Sequence, residues 1–311
     1  MDTEFSLKST TPRASKTELV IGGVKAYIYG LEEAKQQKYS DVAVLYHVHG
    51  RTRNYLTSEG FAHEVLDRYR RDGAPKKAGL IAVAFDARNH GERMISVQAN
   101  DGWGEGNETH AQDLVSMVSG SAQDVELLID YLPAYLPEFQ TFYNIMSGIS
   151  LGGHTSWRLA TSSIATKGKL HGLAIIVGCP NLSAMLLSRL GVDLDALGVS
   201  LDQVRTVPYS ELSAKLNKSQ RTRWPRALSE LFAGFDRETD ERFPRHIPTY
   251  ILNGKLDSLV PDKFTQPWVA KRRAEGYENI DYFVQENAGH SCTDQMVENI
   301  AQWLARLFSR D

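Results

Sequence analysis

The chain has 311 residues, enough for one large core, with 42% hydrophobic and 23% charged residues. Its formal net charge of −3 gives no global attraction to nucleic acid or an anionic membrane, and no apolar run approaches a membrane span. Two cysteines, Cys179 and Cys292, exclude a disulfide scaffold; with no apolar signal-peptide region after M-D-T-E-F-S-L-K, a cytoplasmic protein is expected.

Residues 1–16 read as a polar arm. Residues 17–21 and 24–29 are β-prone runs around Gly22-Gly23, a two-residue turn signal, and predict an antiparallel hairpin at a sheet edge. Residues 42–48 are almost continuously apolar, as for a strand covered on both faces, and lead into His47-Val48-His49-Gly50. Helical periodicity over 61–71 precedes a buried strand at 80–85. The segments D-A-R-N-H-G-E-R (86–93) and D-G-W-G-E-G-N (101–107) follow, the second suited to the rim of a pocket. A long helix is predicted over 110–135.

Next comes the most informative stretch, Y-N-I-M-S-G-I-S-L-G-G-H over 143–154. A short apolar strand runs into Gly148-Ile149-Ser150-Leu151-Gly152, the G-x-S-x-G spacing, and then into a helix-compatible run over 154–165. This is the pattern of a nucleophile elbow. The glycines let the chain reverse where a Cβ would collide with backbone, and Ser150 is left exposed at a helix N-terminus. A strand at 173–178 follows. Over 181–243 the strand rhythm gives way to short amphipathic helices at 182–190, 209–216 and 226–235. Strands return at 248–253 and 280–284, with helices at 263–275 and 294–307.

With the elbow in context, the sequence resembles the α/β-hydrolase superfamily over roughly residues 42–308. That resemblance implies an α/β fold with a mostly parallel sheet, a core over 1–180 and 245–311, and a helical cap inserted at 181–244. It also implies the chain order serine, acid, histidine. Ser150 is then the nucleophile, Asp257 in G-K-L-D the orienting acid, and His290 in E-N-A-G-H the base, being the only histidine after Asp257. The His-Gly at 49–50 would open the oxyanion loop, making the Arg51 N–H the second donor beside that of Leu151. A carboxylic ester is the leading substrate. A thioester, a lactone or a C–C bond would use the same groups, and no cofactor is implied.

Several rival readings stand beside this one. Asp262 is the alternative acid, although it fits a helix-capping role better; Asn181 occupies another position for an acid but cannot carry the charge. His47 and His49 form H-x-H, a possible metal pair, but Arg51 and Thr52 occupy the positions where Asp and His ligands would follow. His154 reads as a packing residue and Cys292 as a small buried hydrophobe. Arg51, Arg53, Arg88 and His90 fall in the two loops near the expected pocket and suggest recognition of an acidic group, with Arg88 and Trp103 as candidate substrate contacts. The competing reading pairs Arg88 with Asp86. A hydrolase-fold binding protein with little turnover is the non-enzymatic alternative.

Overall fold

The computed structural model describes Lys8 and residues 10–310. Strand β1 (Lys16–Ile21) turns at Gly22-Gly23 into β2 (Val24–Tyr29) with Ile21 opposite Val24, the expected hairpin. Helix α1 (Leu31–Gln36) buries only Leu31 and Ala34 and is too short to carry a periodic signature. Then come β3 (Asp41–Val48), α2 (Tyr55–Arg71) and β4 (Gly79–Ala84). Helix α2 starts earlier than its periodicity predicts because Asn54 caps it, accepting the Leu56 N–H, while the Asp86 carboxylate accepts that of Tyr55.

Helix α3 (His110–Tyr135), β5 (Thr141–Ile149), α4 (Leu151–Ala160), α5 (Ser163–Thr166) and β6 (Gly172–Ile176) complete the first part. The single helix expected over 154–165 is two. Ser162 adopts extended backbone and its hydroxyl accepts the Ile164 N–H, ending α4 and starting α5. Between β6 and β7 the chain forms α6 (Leu182–Arg189), α7 (Tyr209–Lys215), α8 (Lys218–Arg223) and α9 (Arg226–Arg242). Helix α8, unforeseen in the sequence, rests on a capping box between Asn217 and Gln220. The last elements are β7 (Thr249–Gly254), α10 (Gln266–Ala274), β8 (Ile280–Gln285) and α11 (Asp294–Leu307). Helix α10 begins later than predicted because Asp262–Phe264 forms a 3₁₀ turn and Pro267, lacking an N–H, suits the first helical turn.

The eight strands form one sheet in the order β1-β2-β4-β3-β5-β6-β7-β8, parallel from β4 onward. Side chains alternate across it. On β3, Val42, Val44, Tyr46 and Val48 join a core with α3, α4 and the helices between β6 and β7, while Ala43 and Leu45 join a second core with α2 and α11. Both faces are thus covered by helices, so the apolar runs lack hydrophobic–polar alternation. No described helix is long and apolar enough to cross a membrane.

Register brings the carboxyl ends of the parallel strands to one edge: Val48 pairs with Gly148, Gly148 with Ile175, and Gly254 with Gln285. Loops leaving β3, β5, β7 and β8 therefore converge there. The closest packing at this edge is between backbones. A Cβ on Gly152 would lie 1.9 Å from the Val48 carbonyl oxygen, and one on Gly148 2.3 Å from Gly152. Gly152→Ala should therefore cost about 3 kcal/mol or more, or prevent folding, as read from the urea midpoint of the purified protein. An unchanged midpoint would contradict this packing.

Candidate active site

Ser150 sits between β5 and α4 with φ 55° and ψ −106°, a positive-φ conformation that costs a non-glycine residue about 1–3 kcal/mol. It is held there by backbone: its N–H donates to the Ile176 carbonyl at 3.0 Å, and its own carbonyl accepts the His154 N–H at 2.9 Å. The resulting turn points Oγ away from the sheet edge, next to the first free amides of α4, whose dipole favours negative charge.

The imidazole of His290, from the loop after β8, reaches this hydroxyl with Nε2 2.7 Å from Ser150 Oγ. Its Nδ1 lies 2.8 Å from Asp257 Oδ2. Asp257 comes from the loop after β7, and its side chain is completely buried. Its other oxygen accepts the N–H groups of Leu259 at 2.9 Å and Val260 at 2.8 Å, so the carboxylate can be turned only towards the histidine. A carboxylate only accepts, so Nδ1 carries the proton and Nε2 offers a lone pair to the serine hydroxyl. The arrangement can accept a proton from Oγ while Oγ attacks an electrophile.

The loop after β3 lies alongside. A Cβ on Gly50 would fall 3.7 Å from Ser150 Cβ. The N–H of Arg51 has no backbone acceptor among the described residues, and that of Leu151 opens α4, where no intrahelical acceptor exists. His49 fixes this loop. Its Nε2 accepts the Ala87 N–H at 3.1 Å, which makes Nδ1 the donor to the Gly50 carbonyl at 2.8 Å. Both nitrogens of His49 are therefore engaged by backbone. His47 turns to Ser147, with Nδ1 3.1 Å from Oγ, and stacks on Phe61 at 3.8 Å. Among the described residues no group of three His, Cys, Asp or Glu side chains is arranged to hold a metal.

The rival acid is engaged elsewhere: Asp262 accepts from Asn253 at 3.1 Å and from the Tyr282 hydroxyl, not from a helix N-terminus as its position suggests. Asn181 caps α6 through the Ala184 N–H at 3.0 Å. Cys179 and Cys292 are both free and buried. Arg88 forks onto Asp124 of α3 at 3.1 and 3.2 Å, away from the pocket and not onto Asp86, whose carboxylate instead accepts the N–H groups of Tyr55 and Glu92.

Above the serine lies a cavity of about 310 Å³, bounded by Ser150, His290, His154, Trp103, Arg51 and Arg189, with His110, Glu105 and Leu259 also lining it. Trp103 is thus at the pocket, in a 3₁₀ turn of the glycine-rich loop, its ring edge-on to His110 at 5.0 Å. Arg189 and His110 carry no motif that marks them in the sequence. Arg189 is the last residue of the otherwise largely apolar α6, and only the folding of the segment between β6 and β7 brings it here.

With this geometry in place, the class is defined: the chain belongs to the alpha/beta hydrolase family, whose sequence profile matches residues 45–303. Among solved structures, TT1662 from Thermus thermophilus aligns with a TM-score of 0.64 at 16% identity, covering 96% of this chain and 100% of that one. The Pyrococcus furiosus esterase Pf2001 aligns with a TM-score of 0.51 at 15% identity, covering 99% and 98%. Est1E from Butyrivibrio proteoclasticus gives 0.51 at 12%, covering 94% and 97%. At such identities the likeness is one of fold. No curated protein matches the sequence.

Burial holds the imidazoles of His47, His49 and His154 down at about 3; it holds His110 at about 4, with help from Arg51 and Arg189. In the unfolded chain such groups protonate near ~6.5. Between the two values the unfolded state binds more protons, so this stability is complete above ~6.5 and is lost as pH falls towards about 4 for His110 and about 3 for the other three. Each group contributes about 1.4 kcal/mol per pH unit in that window. Urea unfolding at pH 7 and pH 5 should therefore give a clearly lower stability at pH 5, and equal values would refute the burial of neutral histidines.

Proposed function

We propose that the chain is a serine hydrolase that cleaves a carboxylic ester through an acyl-enzyme on Ser150. The observation that carries this reading is the unbroken hydrogen-bond chain Ser150–His290–Asp257 beside the N-terminus of α4. In the proposed reaction His290 Nε2 takes the hydroxyl proton as Ser150 Oγ bonds to the carbonyl carbon. The tetrahedral oxyanion is met by the N–H groups of Leu151 and Arg51. His290 then gives its proton to the leaving alkoxide oxygen, releasing the alcohol. Water, deprotonated by the same nitrogen, attacks the acyl-serine ester, and collapse returns the proton to Oγ and frees the carboxylic acid. Asp257 keeps the imidazole in the required tautomer throughout.

Membership of the alpha/beta hydrolase family supports hydrolysis, and solved structures of this fold named as esterases and as a lipase support an ester as the substrate. We read residues 181–244 as a cap over the serine. In support, α6, from within that stretch, contributes Arg189 to the cavity wall.

A fluorophosphonate probe should label Ser150, as located by peptide mass spectrometry. Ser150→Ala should lower kcat for 4-nitrophenyl butyrate by about 10⁶-fold and Asp257→Asn by about 10⁴-fold, both with unchanged circular dichroism. An alanine variant that keeps near-full turnover would sink the reading.

A further inference from the structure

Two guanidinium groups enter the cavity above Ser150 from opposite segments of the chain, and neither is paired with a carboxylate among the described residues. Arg51, from the loop after β3, donates through Nη1 to the Asn100 carbonyl. Arg189, from the end of α6, donates through Nε and Nη2 to the Leu259 carbonyl at 3.1 and 2.7 Å. Elsewhere the chain pairs its half-buried and buried arginines with carboxylates: Arg68 with Glu64, Arg158 with Glu238, Arg272 with Asp240. A neutral carbonyl satisfies an N–H but brings no opposite charge, and the carboxylates that attract these groups, Glu105 and Asp101 for Arg51 and Asp257 for Arg189, act on them only from a distance.

The neighbours sharpen the asymmetry. Trp103 is almost fully buried at the same wall, and its indole N–H has no acceptor among the described residues. Glu105 is the one carboxylate at the cavity rim, exposed and turned back onto the Gly102 N–H at 2.7 Å; Asp257 is consumed by His290 and two amides. Burial and the facing Arg51 charge push the Arg189 guanidinium down to about 10. The two cations thus act on one another across a space that contains donors and no anion bound to them.

We propose that this cavity is a carboxylate subsite, and that the physiological ester carries a free carboxylate that lodges between Arg51 and Arg189 while its scissile carbonyl meets Ser150. This deepens the esterase reading and rests on it for the position of the carbonyl. A carboxylate there would take the unused N–H groups of both forks, and its charge would cancel the repulsion between them. Position on α6 is what lets Arg189 serve. The N-terminus of that helix is tied by the buried Asp236 of α9, which accepts the N–H groups of Leu182 and Ser183 at 3.0 Å each, so its last residue is held over the serine.

The test compares kcat/KM for two anionic esters with neutral counterparts: mono-4-nitrophenyl glutarate against 4-nitrophenyl valerate, and 4-carboxyphenyl valerate against 4-carbamoylphenyl valerate. At least one anionic ester should be favoured by about tenfold or more. That ratio should fall to about one in Arg189→Gln and be partly kept in Arg189→Lys. Equal rates in both pairs, or a preference that survives in Arg189→Gln, would overturn the subsite. Calorimetric titration of glutarate into the Ser150→Ala protein supplies a readout without turnover. Binding that Arg189→Gln abolishes supports the subsite even if no ester is cleaved, in which case only the esterase reading fails. Absence of glutarate binding to a protein that does cleave esters refutes the subsite alone.

Discussion

The closest constraint in the structure is the approach of α4 to the ends of β3 and β6. Gly152 lies so near the Val48 carbonyl, and Gly148 so near Gly152, that no side chain fits at either position. This contact between backbones sets the reversal after β5, and the reversal forces Ser150 into positive φ. The local strain is offset by the covered sheet beneath, whose strands β3 and β5 are entirely buried along their central residues. A rigid sheet edge therefore supplies what the hydroxyl lacks by itself, a fixed direction. The loops of β7 and β8 bring Asp257 and His290 to it from the same edge.

The helices between β6 and β7 add Arg189 to the cavity wall, and their attachment is ionic and aromatic. Asp240 of α9 pairs with Lys271 at 2.8 Å and with Arg272, both on α10; Glu238 pairs with Arg158 of α4. Trp157, Phe243 and Trp268 form an edge-on cluster, with Trp268 4.8 Å from each of the other two rings. Buried in part and mutually connected, such charges count for more than isolated surface pairs, whose contribution is about 0–1 kcal/mol. They fix α9, which through Asp236 fixes α6.

Much of this was legible in the sequence because its signals are local. The Gly22-Gly23 hairpin, the apolar run of β3, the G-x-S-x-G elbow and the loop positions of Asp257 and His290 depend on residues close together in the chain. What escaped depends on partners that are distant. Arg88 finds Asp124 on α3, a charge match that neither segment announces; Asp262 turns to Tyr282 on the neighbouring strand. The break at Ser162 hinges on one hydroxyl accepting one N–H, against a pattern of residues that would otherwise continue the helix. Arg189 was invisible as a pocket residue for the same reason: nothing in the order of residues says where a helical insertion will lie.

The double engagement of His49 bears on which parts of the cavity surroundings move together. One ring bridges the loop after β3 to the loop after β4, spanning Gly50 and Ala87. Displacing either segment would strand a buried imidazole, so the rear wall travels as a single block. The opposite side, between the tryptophan-bearing turn and the end of α6, is joined instead through arginine side chains, Arg51 to the Asn100 carbonyl and Arg189 to that of Leu259.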